Sequence, residues 1–115
     1  MNKVKTIEPQ AFDIELQSSG GPLLVAFLKR NERYSAQVEV LEKACRRTGD
    51  DLRCFLYNTD YLDMATERFS VKGTPTFLLF QGGREVNRLI GESDGDTMDD
   101  FIDSSLTVLA GNAVR

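Results

Sequence analysis

Six consecutive apolar residues, Leu23-Leu24-Val25-Ala26-Phe27-Leu28, run into a charged string, Lys29-Arg30-Asn31-Glu32-Arg33-Tyr34-Ser35, and then into a helical pattern. A run this short with no polar alternation reads as a strand covered on both faces. Helices on both faces of a strand define a layered α/β domain, so this stretch confines the chain to that class. In such domains the end of the strand and the start of the next helix is where ligands and catalytic groups collect. Free N–H groups and partial positive charge at the helix terminus are the reason. Here the junction holds no Cys, no His and no Gly-rich run.

The rest of the chain supplies the remaining layers. A short strand is expected over 3–7, then a helix opening at Pro9, with Phe12 and Leu16 facing inward. Ser18-Ser19-Gly20-Gly21-Pro22 stops it. After the strand over 23–28, a helix over 31–48 carries Val38, Leu41, Cys45 and Thr48 along one stripe. Asn31 suits its N-cap, Glu32 its positive end and Gly49 its stop. A strand over 52–57, a turn at Asn58-Thr59-Asp60 and a helix over 62–69 follow. A strand over 77–80 leads through the hairpin chemistry of Gln81-Gly82-Gly83-Arg84 into an antiparallel strand over 85–90. Gly91 signals a bulge or a close backbone approach. The last helix is expected to start near Asp94. The order βαβαβαββα predicts one α/β domain over 1–115, with a mixed central sheet flanked by helices on both faces and a frayed tail at 110–115.

Several function classes are excluded on chemical grounds. A net charge of −4 does not draw the molecule to nucleic acid or to an anionic membrane. The apolar runs are of strand length, too short to span a bilayer, and the first residues lack an apolar signal region. A cytoplasmic protein is expected, most simply a monomer. The absence of His removes the commonest general base and metal ligand. The acids Glu92, Asp94, Asp96, Asp99, Asp100 and Asp103 lack the EF-hand spacing and suit the start of a helix instead. No metal or cofactor is expected. Glu32 and Ser35 have no third group to orient them as a base and nucleophile. Cys45 and Cys54 lie nine residues apart and form no ligand pair. They read first as two buried small hydrophobes, with a disulfide or redox pair as the other possibility.

The element order, together with Phe69-Ser70-Val71-Lys72-Gly73-Thr74-Pro75-Thr76-Phe77-Leu78-Leu79-Phe80, Leu56-Tyr57-Asn58-Thr59-Asp60 and Val25-Ala26-Phe27, resembles the thioredoxin family. The likeness runs from about Phe12 to Leu106. It implies a thioredoxin-like fold with a cis Thr74–Pro75 bond. It also implies Trp-Cys-Gly-Pro-Cys at the junction, where this chain has Asn31-Glu32-Arg33-Tyr34-Ser35. The family's buried Asp and neighbouring Lys correspond here to Ala26 and Leu56.

Thiol exchange needs an attacking thiolate and a resolving thiol, and neither Glu32 nor Ser35 is one. The first expectation is therefore a redox-inactive, non-enzymatic domain that binds another protein, as an adaptor, chaperone or assembly factor. The face expected to bind comprises Lys29, Arg30, Arg33, Tyr34, Lys72, Thr74 and Pro75. Its basic and aromatic composition suits an extended, acidic protein segment. The alternative is an atypical thiol–disulfide oxidoreductase that uses Cys45 or Cys54, although both thiols are expected to be poorly accessible.

Overall fold

The computed structural model describes residues 4–114, with the side chains of 112–114 left aside. It contains a five-stranded sheet in the order β1-β3-β2-β4-β5. The strands are β1 (Lys5–Ile7), β2 (Leu23–Phe27), β3 (Arg53–Tyr57), β4 (Thr76–Gln81) and β5 (Arg84–Ile90), and the helices are α1 (Pro9–Gln17), α2 (Tyr34–Thr48), α3 (Leu62–Phe69) and α4 (Gly95–Val114). β1, β3 and β2 run parallel, while β4 is antiparallel to both β2 and β5. This is the expected α/β architecture with its antiparallel edge hairpin. The expected strand start at residue 3 lies outside the described residues, as does residue 115. Helix α4 continues to Val114 through most of the expected tail.

β2 is buried along its whole length and divides the core in two. Leu23, Val25 and Phe27 meet Phe12 of α1 and Ala65 of α3 on one face. Leu24, Ala26 and Leu28 meet Leu41 of α2 and Met98 and Ile102 of α4 on the other. The first layer is aromatic: Phe12 packs edge-on against Tyr57, Phe69 and Phe80, with ring centroids 5.6 to 5.8 Å apart.

Local chemistry sets the element ends. Gly82 and Gly83 both adopt positive φ, 61° and 79°, as a two-residue turn matched to strand twist requires. Asp94 Oδ1 accepts the Thr97 N–H at 2.8 Å and caps α4. Helix α2 begins at Tyr34 rather than Asn31, because Asn31 is spent on a preceding turn. Its carbonyl accepts the Tyr34 N–H and its Oδ1 accepts the Arg33 N–H. Gly91 is the site of a close approach, its N–H donating to the Pro75 carbonyl at 2.8 Å, whereas the bulge lies at Leu79/Phe80.

Phe12 is wholly buried among three rings, so Phe12→Ala is expected to lower unfolding free energy by about 3–5 kcal/mol in a urea titration. The Tyr57 hydroxyl is buried with no partner among the described residues, and burial raises its pKa above the ordinary 10.0. A raised folded-state pKa means the folded protein holds this proton more tightly, so stability is full below pH 10.0 and falls as pH rises past it. Tyr57→Phe should therefore match or exceed the parent protein in stability at neutral pH and lose less of it above pH 10.0, as read by denaturation on either side of that pH.

Candidate functional site

Two regions carry the candidate chemistry, and α2 connects them. The first is the strand–helix junction. The register Phe27↔Thr76 brings the end of β2 beside the start of β4, and the Thr74–Pro75 peptide there is cis. Lys29, Asn31, Arg33, Tyr34, Thr74 and Pro75 line a cleft of about 40 Å³, together with Gln37 and Glu92. Most of the expected binding face is thus assembled in one place. Arg30 and Lys72 are exposed outside that lining. Arg30 donates from Nε to Thr59 Oγ1 at 2.8 Å and lies 5.8 Å from the Tyr34 ring centroid. Glu32 and Ser35 are exposed, and among the described residues no hydrogen bond joins them.

Glu92 is the residue of this cleft that sequence reasoning missed. Arg33 reaches it from 59 residues away, with Nη2 2.8 Å from Oε1 and Nε 3.1 and 3.2 Å from the two carboxylate oxygens. Beneath the pair, Gln37 and Ser93 are both buried and exchange hydrogen bonds. The Gln37 amide donates to the Ser93 carbonyl at 3.2 Å, and the Ser93 N–H donates to Gln37 Oε1 at 3.1 Å. Ala26 and Leu56 are paired, buried neighbours in β2 and β3, continuing the apolar layer under α2.

The second region is at the other end of α2. Cys45, in the last turn, is joined to Cys54, the second residue of β3, by a disulfide with Cα atoms 6.4 Å apart. Eleven residues separate Tyr34 from Cys45, about 16 Å along the helix axis. The expectation of two free buried cysteines is corrected. Both side chains turn into the layer between β3 and α2, and the Gly49–Asp51 turn folds the strand back beside the helix it follows.

Cys45 is 8% exposed and Cys54 only partly buried. The difference follows from topology. β1 starts at Lys5 opposite Phe55, so Cys54 is hydrogen-bonded to β2 but lies beyond the end of β1. Arg53 fixes the strand here: its Nη1 donates to Glu15 Oε1 at 2.6 Å and its Nη2 to the Gly21 carbonyl at 2.7 Å. A signal for the pair existed in the sequence. Cys54 shares strand parity with Leu52 and Leu56, and Cys45 lies on the same helical stripe as Leu41.

The geometry defines a layered α/β domain with a cis-proline cleft at one end of α2 and a disulfide at the other. The thioredoxin family profile matches residues 3–104, and the chain belongs to that family. It is 25% identical over 99 residues to Thioredoxin Y, chloroplastic, of Oryza sativa subsp. japonica, covering 85% of this chain and 59% of the relative. The chain thus spans somewhat over half the length of the curated relative it matches. Among the described residues no helix is long and apolar enough to cross a membrane.

These findings overturn the expectation of a redox-inactive, non-enzymatic domain. That expectation rested on the lack of a cysteine pair at Glu32 and Ser35 and on the poor accessibility expected of Cys45 and Cys54, the alternative couple. The chain keeps such a pair at Cys45 and Cys54, joined as a disulfide in a thioredoxin-family domain.

The bridge closes a short loop, the cysteines being nine apart in sequence. Loop-closure entropy assigns it roughly 2–3 kcal/mol of stability. Cys45→Ala with Cys54→Ala is expected to lower unfolding free energy by that amount, and dithiothreitol should destabilise the parent protein alone, as read by thermal melts with and without reductant.

Proposed function

We propose that this chain is an atypical thiol–disulfide oxidoreductase whose redox couple is Cys45–Cys54. The observation that carries this reading is the pairing of the chain's two cysteines, one of which, Cys54, is only partly buried as a residue. In the reduction half-cycle an incoming thiolate attacks Cys54 Sγ, on the less buried of the two residues. The Cys45–Cys54 bond breaks, a mixed disulfide forms on Cys54, and Cys45 leaves as a thiolate and takes up a proton. A second substrate thiolate then attacks the substrate sulfur of the mixed disulfide, releasing substrate disulfide and reduced Cys54. Two electrons have passed to the protein. The reverse sequence delivers them to a substrate disulfide.

Compartment chemistry supports a cycling bond. In the cytoplasm, the location we propose, persistent structural disulfides are rare and transient catalytic or sensing ones are the usual kind. Helix electrostatics sets the rate. Cys45 leaves from the last turn of α2, where the macrodipole presents its negative end, so negative charge on that sulfur gains nothing from the helix. Exchange is therefore slow beside that of a dithiol at a helix N-terminus. The substrates proposed are protein or peptide thiols and disulfides that reach the sheet flank beside Cys54.

An insulin-reduction assay with dithiothreitol tests the reading. Slow turnover above the reductant background is expected, abolished by Cys45→Ser or Cys54→Ser and unaffected by Ser35→Ala. Turnover that survives in the doubly substituted protein, or none in the parent, would refute the assignment.

A further inference from the structure

The junction cleft is at the far end of α2 from the disulfide, and what it binds can be read without reference to redox chemistry. Arg33 offers a planar fork of donors there, already engaged by the Glu92 carboxylate in near-bidentate fashion. The two side chains are 58% and 46% exposed, and a pair so exposed is held weakly. A second cation, Lys29, lines the same cleft, and Glu92 is its one carboxylate. Arg30 and Lys72 add positive charge on the flanking loops. The cleft is small, about 40 Å³. The reciprocal Gln37–Ser93 bonds hold the Glu92 backbone in place whatever its side chain contacts.

We propose that this cleft is a carboxylate-recognition site for an acidic segment of a partner protein, with Arg33 the specificity-determining residue and Glu92 an internal stand-in that the partner's Asp or Glu displaces. The stand-in lowers affinity for lone carboxylates, so occupancy depends on several acidic residues reaching Lys29, Arg30 and Lys72 together.

Fluorescence anisotropy of the full chain with a fluorescein-labelled hexaglutamate peptide at low ionic strength tests this, with hexaglutamine, hexalysine and oligothymidine as comparisons. Hexaglutamate alone is expected to bind. Glu92→Gln should tighten it about two- to fivefold by removing the competitor. Arg33→Gln should weaken it at least tenfold, with partial recovery in Arg33→Lys, which keeps the charge but loses the fork. Arg46→Gln, an exposed cation elsewhere on α2, should change nothing, and circular dichroism confirms that each variant is folded. Equal binding by Arg33→Gln and parent, no tightening in Glu92→Gln, or oligothymidine bound as tightly as hexaglutamate would each overturn the proposal.

Discussion

β2 buries both of its faces, with Leu23, Val25 and Phe27 against α1 and α3 and Leu24 and Ala26 against α2 and α4. A strand without a polar face cannot serve as a sheet edge, because one side of it would be left in water. It therefore takes the centre, between parallel β3 and antiparallel β4. The opposite directions of these neighbours generate the two regions of interest. Antiparallel β4 starts where β2 ends, which puts Thr74 and Pro75 beside the Lys29–Ser35 junction. Parallel β3 starts where β2 starts, which puts Cys54 at the other end of the sheet, under the last turn of the helix that β2 feeds. Both regions follow from one register.

Helix α2 separates these regions electrostatically as well as in space. Its N-terminal end, with positive dipole character, faces the cleft where Glu92 already lies against Arg33. Its C-terminal end carries Cys45, where the dipole opposes a thiolate. A dithiol at the junction would have combined recognition and exchange at one favourable terminus. In the proposed scheme anion recognition keeps the terminus suited to it, and the sulfur chemistry has the less favourable one. The slow exchange proposed for Cys45–Cys54 follows from this position in the fold, independent of which substrate approaches.

Much of the fold was legible in sequence because its signals are local. The unbroken apolar run of 23–28 and Gly82-Gly83 between two strands each state their conformation within a few residues, whereas the cis Thr74–Pro75 bond was expected only through the family resemblance. What escaped were pairings between distant segments. Arg33 read as a free basic group because its partner, Glu92, is 59 residues away and looked like one acid among several beside Asp94. Asn31 read as an N-cap because its side chain does accept a backbone N–H, but that of Arg33 in a preceding turn. The disulfide stood only as the second reading for a related reason. Inward-facing cysteines on a helix and on a strand look like core hydrophobes until the crossover connecting them is drawn. The redox-inactive reading failed with it, because Cys45 and Cys54, weighed as the alternative couple, were expected to be poorly accessible thiols and not a closed pair.

The interactions that hold the two ends of α2 are independent of each other, which bears on how a redox couple can operate in so small a domain. The N-terminal end is fastened by the Gln37–Ser93 amide exchange and the Arg33–Glu92 pair. The middle and C-terminal part is held by Leu41 and Ala44 in the core, and by Arg47 bridging to Asp99 and Asp103 of α4 at 3.0 Å each. Breaking Cys45–Cys54 thus removes one restraint from the last turn, and opening is confined to that end because local unfolding follows local contact density. The cleft lies beyond several turns of helix that keep their own fastenings. A bond placed at the junction would have coupled every redox cycle to the binding surface, whereas a bond at the distal end of α2 can open and close with the carboxylate-facing residues still in position.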